Sequence, residues 1–228
     1  MKNILTLSST LAVVCGIAAA VLAVAYRATT PAREATLRAV QQAGLRKVLP
    51  DFDNPVTEDA IDITAEDGTT VTFYPAVKNG RLAAIAGKGR TTQGFGGTIE
   101  VLVGFEPDGR IRAVVITSHS ETPGLGTLAT ERKKQKAITD FFVTTESEGG
   151  TNAGLAPNAY LDQYNSYTAS DYSQLKVKQD DGNIQAVSGA TVSSRAIADA
   201  VQRIAKTYSR LLQNPTWPRK WQSWHPKG

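Results

Sequence analysis

The sequence predicts an α+β chain: an N-terminal transmembrane helix, then one domain with a largely antiparallel sheet and flanking helices. Three observations carry this expectation. No charged residue lies between Lys2 and Arg27, and residues 11–25 are almost wholly apolar, which suits one bilayer crossing. An Asn-Gly or Asp-Gly turn followed by an alternating strand recurs through the middle of the chain, a strong hairpin signal. Near the C-terminus, Ile197, Ala200, Val201, Ile204, Tyr208 and Leu211 recur at helical spacing, so one face of that helix is core.

With 228 residues, 41% of them hydrophobic, the chain can bury one substantial core. The net charge is +4, and Lys and Arg are scattered, densest at Lys133, Lys134 and Lys136. No basic block carries interleaved aromatics, so no nucleic-acid partner is expected. The single cysteine, Cys15, excludes an intrachain disulfide. Two histidines, His119 and His225, are too few to suggest a His/Cys metal site, and none is predicted.

In chain order, residues 1–29 are expected as a transmembrane anchor that contacts the membrane through residues 4–26. The rival is a signal peptide cleaved after Ala23-Val24-Ala25; the length of the charge-free stretch favours a retained span. Charge sets orientation poorly, with Lys2 on one side and Arg27, Arg33 and Arg38 on the other. Residues 30–60 read as a connector. Thr30-Pro31 has the form of an N-cap and first helical residue, Leu37, Val40, Gly44, Leu45 and Val48 follow at helical spacing, and Pro50 ends the helix. Residues 51–59, rich in Asp, Asn and Pro, are a loop.

The main domain is expected over residues 61–213. Asn79-Gly80-Arg81-Leu82, Asp108-Gly109-Arg110-Ile111 and Asp181-Gly182-Asn183-Ile184 share one layout of turn and strand. Each predicted strand leads into small residues: Gly87-Lys88-Gly89-Arg90, the run from His119, and Ser188-Gly189. A helix is expected over residues 130–142, with Leu128, Ala137, Ile138, Phe141 and Phe142 as apolar anchors. Residues 148–171 read as loop despite Tyr160, Tyr164 and Tyr167. The final helix begins near Ser193 and stops at Asn214-Pro215. Residues 214–228 form a tail holding Trp217, Trp221 and Trp224, suited to docking on the domain, a partner or a membrane surface.

The stretch Ser188-Gly189-Ala190-Thr191-Val192-Ser193-Ser194 organises the rest. A strand-like run, residues 184–187, delivers small and hydroxyl-bearing residues to a helix N-terminus. First-turn N–H groups lack intrahelical partners and the helix dipole favours negative charge there, so the place suits a phosphate. The plainer reading is an N-cap with a small-residue turn.

This stretch resembles the flavin-attachment motif of the FMN-binding domain family, which includes the G subunit of the Rnf electron-transport complex and the C subunit of the sodium-translocating NADH:quinone reductase. Two further stretches match in the family's order: Gly94-Phe95-Gly96-Gly97, and His119-Ser120-Glu121-Thr122-Pro123-Gly124-Leu125-Gly126. Length and the second stretch favour the Rnf protein. The family's frequent Asp three or four places before the SGAT serine is replaced here by Gln185 and Ile184, the nearest acids being Asp180 and Asp181.

The resemblance implies FMN esterified through its phosphate to Thr191. Ser188, Gly189, Ala190, Ser193 and Ser194 would surround the phosphate, and Glu121, Thr122, Pro123, Gly124, Leu125 and Gly126 would line the ring. It further implies an electron carrier in a membrane-bound, ion-translocating ferredoxin:NAD oxidoreductase, not a stand-alone enzyme. Other membrane subunits and a flavin-attaching transferase are the implied partners. The implied location is the bacterial inner membrane, with the soluble domain on the extracytoplasmic side. A hydrolase using His119 with Ser118 or Ser120 is disfavoured, because adjacent strand residues point to opposite faces and no G-x-S-x-G elbow is present. A membrane-anchored binding or scaffold module without redox chemistry is the other reading.

Overall fold

The computed structural model of the protein describes residues 2–132 and 155–214. The chain divides into two compact units, residues 1–42 and 43–228. Helix α1 (Lys2–Val48) supplies the first unit and enters the second with its last turns. Within residues 8–48 lies an 18-residue stretch of mean hydropathy 2.2, none of it buried. By length and composition, this helix is able to cross a membrane.

The expected separate helix start at Thr30-Pro31 is not observed: α1 passes through Pro31 without a break. Proline removes one backbone donor and crowds the preceding turn. Here the hydroxyls of Thr29 and Thr30 bond back to the Ala25 and Tyr26 carbonyls, at 2.8 and 2.7 Å. These bonds tie the turn just before the proline; the carbonyl that loses its N–H partner is that of Arg27, four residues before Pro31.

In the second unit, five strands form one antiparallel meander, in the order β1 (Ile61–Thr64), β2 (Thr70–Lys78), β3 (Arg81–Gly94), β4 (Gly97–Phe105) and β5 (Ile111–Ser118). Asn79 and Gly80 take φ of 51° and 72°, and Lys78 pairs with Arg81. This is the two-residue hairpin loop that Asn-Gly predicts. Asp108-Gly109 turns β4 into β5, with Gly109 at φ 97°.

Both faces of the sheet are covered, which is why β2 and β4 bury nearly every residue in their second halves. Helix α3 (Thr191–Leu212) packs Ile197, Val201, Ile204 and Tyr208 against Phe73, Ile85, Val101 and Phe105. Residues 43–56 cover the other face, where Leu45, Val48 and Val56 meet Tyr74, Ala84 and Leu102. A Cβ at Gly87 would lie 2.5 Å from Ile204 Cγ2. Gly87 and Gly89, expected as a small-residue stretch after the strand, are themselves strand residues over which α3 passes.

The third turn-and-strand repeat is a correction. Asp181 is left-handed (φ 61°), but residues 184–187 form no strand. Their donors and acceptors go elsewhere: Ile184 makes one parallel bridge to Val177, Gln185 N–H donates to Gln163 Oε1, and Val187 N–H to Ser194 Oγ. No edge is left for a ladder. Residues 148–171, expected as loop, hold the 3-10 turn Leu161–Ser166 and the start of a second, Ala169–Gln174; a third, Lys178–Asp180, follows.

Of the helix expected over residues 130–142, residues 130–132 are described: Thr130 ends a single turn, α2 (Thr127–Thr130), and Glu131 is extended. Lys133, Lys134, Lys136, Ala137, Ile138, Phe141 and Phe142 lie outside the described residues, as do Gly149, Gly150 and the tail with Trp217, Trp221, Trp224 and His225.

Candidate functional site

Three segments distant in sequence meet at one end of the sheet. The β3–β4 hairpin turns through Phe95 and Gly96, with Gly94 paired to Gly97. Strand β5 ends at Ser118, opposite Glu100 near the same hairpin, and hands on to residues 119–126. The N-terminus of α3 arrives from the other side of the core. Its N-cap is Ala190, which has no side-chain cap. Thr191 is half-buried, Ser188 and Gly189 are exposed or half-exposed, and Gly189 has φ 79°. The expected junction of small residues and helix start is therefore present, with the helix beginning two residues earlier than Ser193.

Glu121 joins the three segments. It is 5% exposed. Its Oε1 accepts the Gly96 N–H at 3.2 Å and its Oε2 accepts the Ser193 hydroxyl at 2.5 Å. Its own N–H donates to His119 Nδ1 at 3.3 Å. The glycines around it are a consequence: a Cβ at Gly94 would lie 2.5 Å from Oε1, and one at Gly126 would collide with Oε2.

The segments enclose a cleft of about 280 Å³. One wall is Glu121, Thr122, Leu125 and Gly126, and the other runs from Gly189 to Ser193, with Phe95 at the rim. Leu125 Cδ2 would touch a Cβ on Gly189 at 3.5 Å, so the two motifs face each other directly. Within the described residues of the second unit, the exposed large apolar side chains are Phe95, Leu125, Leu128 and Val192. Phe95, Leu125 and Val192 line this cleft, and Leu128 follows in the short helix after residue 126. Among the described residues, Glu121 is the one carboxylate that lines it, and no cation does. Anionic charge bound here must be balanced by backbone dipoles.

The donors for that task are identifiable. By helix geometry the N–H groups of Thr191, Val192 and Ser193 have no intrahelical acceptor, whereas Ser194 N–H already bonds the Ala190 carbonyl. Ser193 gives its hydroxyl proton to Glu121. Ser194 is fully buried, its Oγ accepting Val187 N–H at 3.0 Å. Of the three serines predicted around a phosphate, Ser188 is the one that is not buried. Pro123 and Gly124 form the exposed turn before α2, Gly124 at φ 81°.

Two supports escaped sequence reading. Tyr160 donates its hydroxyl to the Ser194 carbonyl at 2.6 Å and shares a 2.8 Å hydrogen bond with Tyr164. Burial pushes both phenols well above their ordinary pKa. Arg132, its side chain 8% exposed, bonds Val114 O, Ala156 O and Asp162 Oδ1. Asp180, one of the two acids nearest the family's Asp position, pairs with Arg195 at 2.8 Å, and that hydrogen bond holds its carboxyl below the usual range. Ile184 is fully buried and Gln185 exposed.

A larger cleft of about 430 Å³ runs beside α3, where Arg203 pairs with Asp67, and Lys206 and Arg210 with Glu66; Lys176 and Asp199 also line it. None of the motif residues lines it. Among the described residues there is no cluster of His, Cys, Asp or Glu able to hold a metal ion.

The FMN-binding domain family matches residues 94–206, from the hairpin glycine to α3. The G subunit of the ion-translocating oxidoreductase complex of Shewanella piezotolerans is 32% identical over 182 residues, covering 75% of each chain. That of Stutzerimonas stutzeri is 30% identical over 202 residues, 88% of this chain and 78% of the other. The G subunit of the proton-translocating ferredoxin:NAD(+) oxidoreductase complex of Clostridium ljungdahlii is 26% identical over 203 residues, 88% and 89% of the two chains.

Proposed function

The chain belongs to the FMN-binding domain family, alongside the G subunits of ion-translocating oxidoreductase complexes, and from this we propose that it carries electrons on an FMN esterified through its phosphate to Thr191. The observation that supports this best is convergence. Three motifs, separated by up to about a hundred residues, enclose one apolar-rimmed cleft with Thr191 in its wall.

The residues present fit the group. The open first turn of α3 offers backbone N–H groups and a positive dipole end to a phosphodiester, with Ser188 able to add a hydroxyl. Gly189 keeps the backbone accessible, and Thr191 supplies the hydroxyl that becomes the ester oxygen. Leu125, Val192 and Phe95 offer apolar surface for a flat ring, and Thr122, Pro123, Gly124 and Gly126 offer backbone beside it. When bound, FMN supplies a ring system that takes up and releases one or two electrons. The chain's part is to hold it, orient it and exclude water from one side. The ester would form from a donor in which the FMN phosphate is part of a phosphoanhydride: Thr191 Oγ1 bonds that phosphorus, the anhydride P–O bond breaks, the donor's other phosphate part leaves, and the hydroxyl proton passes to a base of the flavin-attaching transferase.

The apolar stretch of α1 suits a membrane anchor. We infer a single span in the bacterial inner membrane, with the domain on the extracytoplasmic side, where a tethered cofactor cannot be lost by diffusion. Its partners would be the other membrane subunits of an Rnf-type ferredoxin:NAD oxidoreductase, the relatives' names favouring this over the C subunit of a sodium-translocating quinone reductase. A non-redox scaffold is the second reading.

Protein purified from its native host decides between them. A yellow colour that survives acid precipitation, with a flavin mass on the peptide spanning residues 188–195, is expected. An unmodified Thr191, or covalent flavin retained in Thr191→Ala, would overturn the assignment.

A further inference from the structure

We propose that Glu121 is the positioning residue of the attachment turn: its carboxylate holds the first turn of α3 against the β3–β4 hairpin and so fixes where Thr191 presents its hydroxyl. The second half of this statement rests on the reading of Thr191 above; the first does not.

A buried carboxylate is costly unless its oxygens are bonded. Glu121 meets that requirement through one backbone N–H and one hydroxyl. Those partners lie 25 residues before it and 72 after it. One side chain therefore fastens together all three segments of the cleft. Gly94, Gly96 and Gly126 make the room, since a side chain at any of them would strike Glu121 or the Ser120 carbonyl.

The grip falls where α3 needs it. The helix begins at Ala190 without a side-chain cap, and so lacks an interaction that commonly contributes about 1 kcal/mol. Residues two apart on an α-helix point about 200° apart. Ser193 thus faces inward to Glu121 while Thr191 faces the cleft. Glu121 holds the back of the turn whose front carries the attachment hydroxyl. With its proton given to Glu121, the Ser193 hydroxyl is committed to this tie rather than to the phosphate.

The test uses the full-length chain, with Glu121→Ala, Glu121→Gln and Ser193→Ala. In protein made without the transferase, amide hydrogen exchange at residues 194–196, the first amides of α3 with helical acceptors, should quicken by on the order of tenfold in Glu121→Ala. It should stay near the parent rate in Glu121→Gln, because the amide can still accept from Gly96 and the Ser193 hydroxyl can rotate to accept from it. Ser193→Ala, which leaves the bond to Gly96 in place, carries the same measurement if Glu121→Ala does not fold. In the native host, covalent flavin per chain should fall in Glu121→Ala and recover in Glu121→Gln. Unchanged exchange in both Glu121→Ala and Ser193→Ala overturns the tie. A loading defect that Glu121→Gln does not rescue overturns positioning in favour of a charge effect. A parent protein without covalent flavin, in which exchange still responds, overturns the Thr191 reading and leaves the tie standing.

Discussion

Gly96 sits so close to Ser120 that a β-carbon on it would collide with the Ser120 carbonyl oxygen. The obstacle is backbone, which cannot rotate away as a side chain can. Gly96→Ala should therefore separate the hairpin from residues 119–121 and stretch the Gly96 N–H bond to Glu121. A loss of about 1–3 kcal/mol is expected, as for other overpacked sites. Urea denaturation of the unloaded protein measures it. Gly68→Ala is the control: it has φ 80° but nothing within 4 Å, so it should cost only about 1 kcal/mol. Equal losses in the two variants would mean that the hairpin has room to move.

Local chemistry was legible in the sequence, and non-local chemistry was not. Asn79-Gly80 and Asp108-Gly109 specify their hairpins because the turn conformation needs only those residues. Asp181-Gly182 has the same wording, yet the run after it is consumed by Gln163 and Ser194, partners invisible at short range. Glu121 was readable as part of a Pro-Gly segment near a ring. That it turns inward to Ser193 depends on a contact spanning 72 residues. The tyrosines at 160 and 164 stand at helical i, i+4 spacing, but Gly149-Gly150 and Pro157 before them marked the stretch as loop; the fold places both beneath the start of α3.

Those tyrosines give a pH dependence. Burial raises both phenol pKa values above the ordinary value of about 10. The folded chain keeps protons that the unfolded chain releases above that pH. Their contribution to stability is thus complete below about pH 10 and lost as pH rises further. Tyr160→Phe should cost about 1 kcal/mol at pH 7, since it removes the bond to the Ser194 carbonyl. The double variant Tyr160→Phe/Tyr164→Phe should lose less stability than the parent between about pH 10 and 11.5. Parallel urea titrations at these pH values would show it; identical alkaline slopes would mean that the phenols do not titrate with unfolding.

The membrane reading makes a topological prediction. Residues after the span should be digested by protease added to right-side-out spheroplasts, leaving a protected fragment that still contains residues 8–26. Protection of the whole domain would reverse the orientation. A mature N-terminus after Ala25 would show that the apolar segment is a removed signal.

The last prediction concerns the ring. Leu125 is 52% exposed and faces Gly189 across the cleft. Val192, 48% exposed, stands beside Thr191. Side chains so exposed contribute little to the core, so Leu125→Ala and Val192→Ala should leave folding and attachment at Thr191 intact. Their effect should appear in the redox equilibrium. Reduction adds negative charge to the ring system, and an apolar neighbour that excludes water disfavours that charge. Truncation admits water and should raise the midpoint potential, by on the order of 20–30 mV for a two-electron couple if about 1 kcal/mol is involved. The Leu125 variant should show the larger change, because its side chain spans the opening between the two motifs. Spectroelectrochemical titration of covalently loaded protein reads both shifts. Potentials and reduction rates identical to the parent in both variants would place the ring away from this cleft, leaving residues 121–126 with a purely structural task.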